Sequence, residues 1–306
     1  MERYLGLPLN ASAHGAQLDY LTGIVHWLML VLFVGWGLFF LYTLVRFRKG
    51  RNPVASYEGA KSHFSTYGEA AIAVIEAVLL VGFAVPIWAK RVSAVPREDQ
   101  ATVIRVVAQQ FAWNVQYAGA DGVFGRTDPK FINAENNPLG LDPADPAGKD
   151  DIVTLNQIHL PVGKPALVKL TTKDVIHSFF LPYMRVKQDA IPGMTIPIYF
   201  TPTMVTPPIA QFPGCAANHT CWEIACAQLC GASHYRMRGY YAIDTPADYE
   251  KWLKENAPKV AAAPTAPAAA APAAPATPGG TATPASPSTT VPPAASTAKP
   301  PAPAAK

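Results

Sequence analysis

The sequence predicts a membrane-anchored α+β protein: a two-helix transmembrane hairpin, an exported β-sandwich or barrel, and a disordered Pro/Ala-rich C-terminal tail. Three observations predict it. Two long apolar runs lie within residues 23–91. Short strand-like runs with Gly and Pro punctuation fill residues 92–256. Residues 257–306 are almost wholly Ala, Pro, Thr and Ser, a composition that buries too little apolar surface to offset the entropy of folding.

The first apolar run, GIVHWLMLVLFVGWGLFFLYTLV at residues 23–45, holds no Asp, Glu, Lys or Arg. At about 1.5 Å per residue it crosses a hydrocarbon core of roughly 30 Å, and it is too long and too uniformly apolar for an ordinary core helix. A polar segment without a basic cluster, residues 1–22, precedes it, which does not fit a signal peptide. The second run, about residues 67–89, is of similar length but contains Glu69 and Glu76. The loop between them, residues 46–66, carries Arg46, Arg48, Lys49, Arg51 and Lys61 against Glu58. The positive-inside rule puts that loop in the cytoplasm. The N-terminal segment and everything after Lys90 then face outward.

Turn signals divide the exported domain. TVIRVVAQQFAWNVQYAG, DIVTLNQIHLPVG, KPALVKLTTKDVI, MTIPIYFTPTMV and MRGYYAIDT read as strands, and several short strands of this kind suggest a sandwich or barrel. PADYEKWLKENA reads as a terminal helix opening near Thr245 or Pro246. Residues 92–257 carry 14 Lys and Arg against 16 Asp and Glu, so nucleic acid is not expected as a partner.

All four cysteines lie in this domain, on the side where disulfides persist. Their spacing divides them by role. Cys215 and Cys221 flank the short loop AANHT and are expected to pair. Cys226 and Cys230 fall with His234 and Met237 in CAQLCGASHYRM, where every one of those four side chains can bind a metal. Thiolate and imidazole suit zinc or copper, and a thioether favours copper. A closed zinc site would need one more His. A mononuclear blue-copper site would have one thiolate too many. A copper pair bridged by both thiolates, with one His on each metal, would also need a second His. His177 precedes the loop in sequence, whereas His159 and His219 read as structural or solvated.

CAQLCGASHYRM, together with DVIHSFFLPYMRVKQDAIPGM at residues 174–194, resembles subunit II of haem-copper cytochrome c oxidases, over about residues 20–256. The resemblance implies a cupredoxin-like domain with the binuclear copper centre CuA. Cys226 and Cys230 then match the bridging thiolates, His177 and His234 the terminal imidazoles, and Met237 the thioether ligand. Gln228 takes the place of the residue whose backbone carbonyl binds copper. Many relatives have Glu there, which also reaches magnesium, so a magnesium site at the subunit interface is doubtful with a neutral amide. Asp174 and Asp189 match residues that orient ligands. In the run Gln110-Phe111-Ala112-Trp113, Phe111 stands where relatives carry the electron-receiving Trp, and Trp113 matches a later one. Glu69 resembles the glutamate at the cytoplasmic mouth of a proton channel.

The implied partners are the catalytic haem-copper subunit I and a cytochrome c donor, in a bacterial inner (plasma) membrane, with both termini and the copper domain on the outer, periplasmic side. No CxxCH motif occurs, so no haem is expected on this chain. Residues 121–151, with seven acidic and three basic side chains, could steer a basic donor but read more simply as a solvated loop. The alternatives are a CuA subunit of another haem-copper reductase and a membrane-tethered copper- or zinc-binding protein.

Overall fold

The computed structural model describes residues 6–55, 57–59, 62–207 and 222–258. The expected Cys215–Cys221 disulfide, His219 and the Pro/Ala-rich tail lie outside them.

Helix α1 runs from Gly15 to Arg46, starting eight residues before the apolar run. The early start has a packing cause. Gly15, Asp19 and Gly23 are its buried residues, spaced four apart and therefore on one helical face, and that face lies on the β-domain. Beyond Gly23 the helix is apolar all round and uncovered, with Phe33 77% and Trp36 57% exposed. A surface of that kind suits lipid and not water. The second apolar helix comprises α2 (Phe64–Leu79), a π-helical turn (Leu80–Ala84) and α3 (Val85–Ser93). The turn sits just ahead of Pro86, which has no N–H for the carbonyl four residues back. The ladder loosens there, and Val85 donates to the Leu80 carbonyl instead.

Among the described residues ten strands follow: β1 (Thr102–Gln109), β2 (Ala112–Tyr117), β3 (Ile152–Leu155), β4 (Gln157–Pro161), β5 (Ala166–Thr172), β6 (His177–Leu181), β7 (Val186–Ala190), β8 (Ile196–Phe200), β9 (Glu223–Cys226) and β10 (Arg238–Asp244). They form two five-stranded sheets, ordered β3-β2-β1-β5-β8 and β4-β10-β9-β6-β7. Most neighbours are antiparallel, but β1 with β5 and β4 with β10 are parallel. The first predicted strand run folds as a hairpin, β1 and β2, broken at the cis peptide Gln110-Phe111. The second breaks at Asn156, whose φ is 59°, and the chain crosses there from one sheet to the other. Asn156 joins the two sheets. It bonds the Trp113 backbone through N and Oδ1 at 2.7 and 2.8 Å, and its carbonyl accepts from Tyr240 N at 2.8 Å.

Alternation places Ile104, Val106 and Ala108 of β1, Trp113, Val115 and Tyr117 of β2, and Phe179 and Leu181 of β6 in one core. The terminal helix, α4 (Pro246–Asn256), is capped by Thr245, whose side chain accepts from Asp248 N. It closes one end of the sandwich by stacking Trp252 on His159, ring centroids 4.4 Å apart. The N-terminal segment is stitched to the same domain: Ala11 N donates to the Tyr183 carbonyl at 2.8 Å, and Thr203 N to the Ala11 carbonyl at 2.9 Å.

Candidate metal centre

The predicted ligands meet at one end of the second sheet. His177 opens β6 and Cys226 ends β9, and these strands are antiparallel neighbours with Phe179 opposite Cys226. The loop after β9 then curls back. Cys230 follows within one turn, and His234 begins a short 3₁₀ turn (His234–Arg236) that delivers Met237 to the core. Gly231 permits that curl. Its φ is +135°, and a Cβ there would stand 2.8 Å from Gln110 Nε2 and 3.1 Å from Phe111 Cζ.

The donor atoms form a continuous set. The two thiol sulfurs lie 3.8 Å apart. His177 Nδ1 is 3.8 Å from Cys226 Sγ, and His234 Nδ1 is 3.5 Å from Cys230 Sγ. Met237 Sδ stands 3.7 Å from Cys230 Sγ, and the Gln228 carbonyl oxygen is 3.2 Å from Cys226 Sγ. One imidazole thus flanks each sulfur, with a thioether on one side and a carbonyl on the other. A metal held about 2.3 Å from each sulfur spans the gap between them. The set is soft and wholly made of N, S and one carbonyl O, so it fits copper or zinc and not a hard cation.

His177 is fully buried and oriented from behind. Its Nε2 donates to Asp174 Oδ1 at 2.9 Å, so Nδ1 keeps its lone pair for the sulfur side. Asp174 is itself held: Oδ2 accepts from Gln110 N at 2.7 Å and Oδ1 from Val175 N at 2.7 Å. Burial works against ionisation of Asp174, but these amide donors and His177 prevail and lower its pKa. Burial likewise opposes the Cys226 thiolate, yet His177 and backbone groups at Ser178 and Gln228 bring its pKa down to about 6. Burial and the adjacent Cys226 push Cys230 up to about 11. A cation shared by both sulfurs would remove that asymmetry, because it compensates both charges at once.

The family model for the periplasmic domain of cytochrome c oxidase subunit II matches residues 102–240. An alternative cytochrome c oxidase subunit 2 from Bradyrhizobium diazoefficiens is 32% identical over 246 residues, which is 80% of this chain and 82% of that one. The chain belongs to the cytochrome c oxidase subunit II family. It is part of an oxidoreductase complex, and its β-sandwich is the family's periplasmic, cupredoxin-like domain. A cytochrome c oxidase subunit 2 from Thermostichus vulcanus is 36% identical over 119 residues, 39% of this chain and 32% of that one. The crystal structure of the periplasmic domain of subunit II from Bradyrhizobium japonicum aligns over 53% of this chain and 96% of that one, at 22% identity and a TM-score of 0.33.

Other predicted residues of this subunit II chain take varied places. Trp113 is fully buried, edge-on to His177 at 6.2 Å and to Phe179 at 5.4 Å. It touches a ligand but presents nothing to a docking partner. Phe111 is half-buried over Gly231 of the ligand loop. Asp189 departs from its expected orienting role. It is exposed on β7, opposite Ser178, because strand alternation turns its neighbour Ala190 inward. Among the described residues no bond joins it to a ligand, and Asp174 alone holds His177. Gln228 reaches the site by its backbone, and its side chain is exposed. His159 pairs with Asp244 at 2.7 Å, far from the cluster in role. Glu69 lines a groove of about 470 Å³ between the two apolar helices, beside Gly35 and Trp36; Glu76 is exposed on α2.

The link from Gln110 to the ligand loop was not anticipated. Its Nε2 donates to the Cys230 carbonyl at 2.6 Å while its N–H holds Asp174. One residue therefore supports both halves of the ligand set. The only signal in the sequence is its place in the run Gln110-Phe111-Ala112-Trp113.

Proposed function

We propose that this subunit holds the binuclear copper centre CuA and relays electrons from a c-type cytochrome to haem in the catalytic subunit, where dioxygen is reduced to water and protons are pumped. Cys226 and Cys230 would be the thiolate ligands of the pair, His177 and His234 its imidazole ligands, and Met237 and the Gln228 carbonyl its weaker ones. When bound, the copper pair supplies one-electron transfer with little change of geometry. The observation that carries the reading is the doubled arrangement: one imidazole Nδ1 beside each of two thiols that are 3.8 Å apart. A single Cys2His2 zinc would draw all four donors round one point, whereas His234 falls outside the group of His177, Cys226 and Cys230 whose donor atoms lie within 4.8 Å of one another.

The chain's own residues preorganise that exchange. Asp174 and Gln110 lock His177 and the Cys230 backbone, so a change of charge at the site moves few atoms. Trp113 keeps water from the inner face of His177. Leu229 and Tyr235, 77% and 74% exposed, give the loop an apolar rim for a transient donor. The two apolar helices span the bacterial inner membrane with the basic loop in the cytoplasm, so the copper domain and both termini lie outside. Glu69 then stands near the cytoplasmic side, suited to receive protons for subunit I. Magnesium, if held at the subunit interface, gains no carboxylate from Gln228.

The test is the metal content and electron paramagnetic resonance of the full chain, purified in detergent and loaded with copper. Two coppers per chain with one unpaired electron shared by both nuclei is the expected result. One zinc, or one copper with a mononuclear spectrum, overturns it. For Glu69, Glu69→Gln in the assembled oxidase is expected to slow turnover while leaving the copper spectrum as it was.

A further inference from the structure

A cavity of about 450 Å³ lies where the second apolar helix meets the β-domain. The end of α3 and strands β7 and β8 surround it, and His14 lines it from the N-terminal segment. Its charged lining is cationic: Arg91, Arg185 and Lys187. Arg185 is compensated, because Asp19 accepts from its Nε at 2.7 Å. The other two have no carboxylate partner among the described residues. Arg91 lies over the Tyr199 ring, 4.2 Å from its centroid, and donates to the Tyr199 carbonyl. Lys187 stands 4.4 Å over Phe180. Both cations are thus oriented by aromatic rings with their charge unmatched. His14 feels that field: burial first, and Arg91 second, lower its pKa to about 4, leaving a neutral imidazole that can still hydrogen-bond.

Apart from Gln188 and Tyr199 the remaining wall is apolar, and includes Trp88, Val92, Ile196 and Ile198. Trp88 is 62% exposed just after Pro86, at the end of the span where Trp and Arg mark the boundary between hydrocarbon and headgroups. Fixed cations beside an apolar wall at that depth suit a ligand with an anionic head and a greasy body.

We propose that this cavity holds the phosphate of an anionic phospholipid, its phosphodiester facing Arg91 and Lys187 and its first methylenes against Trp88 and Val92. The site needs the second helix to cross a membrane; it does not depend on the copper reading.

The experiment uses the assembled oxidase, delipidated and titrated with phosphatidylglycerol, phosphatidylcholine or inorganic phosphate, with bound lipid counted by native mass spectrometry. The expected result is one phosphatidylglycerol per chain that phosphatidylcholine replaces poorly. Its affinity falls roughly five-fold in Arg91→Gln or Lys187→Gln and about thirty-fold in the double variant. The copper spectrum stays as in the parent, which separates loss of this site from loss of the metal centre. Lys187 is exposed, so Lys187→Gln decides the matter alone if Arg91→Gln fails to assemble. Equal lipid retention in parent and variants overturns the proposal. So does displacement of the lipid by inorganic phosphate at equal concentration, which would mark a site for bare anions.

Discussion

At the scale of single residues, the metal centre depends on side chains that bind nothing themselves. Asp174 selects the His177 tautomer, and Gln110 holds Asp174 by its N–H and the Cys230 carbonyl by its amide. Removing the carboxylate frees the imidazole to rotate or to carry its proton on Nδ1. Asp174→Ala is therefore expected to weaken copper binding by about 10- to 100-fold, measured by chelator competition. Asp174→Asn should recover part of that loss, because its amide oxygen can still accept from Nε2; equal affinity in the Ala variant and the parent would refute the positioning role. Gly231 has a second kind of importance, purely of space and backbone. Gly231→Ala must adopt a φ of +135° and push aside Gln110 and Phe111, so a loss of about 1–3 kcal/mol in thermal stability is expected, with weakened copper retention. The motif residues Cys226, Cys230, His234 and Met237 were legible because metal-binding side chains at such short spacing are chemically unusual. Gln110 was not, because a glutamine inside a strand-forming run carries no such mark.

Among the elements, length and periodicity were informative where a single rule dominated. An uncharged run of this length leaves a membrane helix as the simplest outcome, and the cap at Thr245 followed by Pro246 marks the start of α4. The Thr245→Ala variant should lose about 1 kcal/mol in denaturant or thermal unfolding; no change would show that packing of Trp252 against His159 and Tyr117 holds the helix without its cap. Boundaries were less legible. Helix α1 begins at Gly15 because Asp19 and Gly23 find a protein surface to bury against, which local composition cannot signal. Strands β6, β7 and β9 also went unseen as strands. HSFFL and VKQDA are short and flank the turn at Arg185, whose φ is 53°, and EIAC is only four residues long. Their strand character comes from partners supplied by the rest of the sheet.

For the whole molecule, two long-range ties join parts that the linear order keeps separate. One is the Asp19–Arg185 pair, 2.7 Å apart with both side chains about nine-tenths buried; it fastens the start of the first apolar helix to the turn between β6 and β7. Asp19→Ala leaves a buried guanidinium unpaired, and a loss of about 3–5 kcal/mol is expected in thermal unfolding of the full chain. The other is the ligand cluster itself, where His177 meets a loop 49 residues later in sequence. Copper bound there should clamp β6 to β9, so chelation is expected to lower the unfolding midpoint. At ligand concentrations a thousand-fold above the dissociation constant, the stabilisation is about 4 kcal/mol; a midpoint indifferent to copper would mean that the metal bridges nothing. By itself the sequence determined the two apolar spans, the β-rich domain, the set of metal-binding residue types and the family they resemble. The first three follow from local chemistry, namely hydrophobicity, turn residues and donor atoms at short spacing, and the resemblance rests on the two motifs around His177 and Cys226. Only the tertiary structure decided which aspartate holds His177, that Trp113 is sealed inside, that Asp189 faces solvent, and that unmatched cations gather beside α3. Those outcomes depend on which strand face turns inward and which distant segments touch, and side-chain packing across the two sheets settles both.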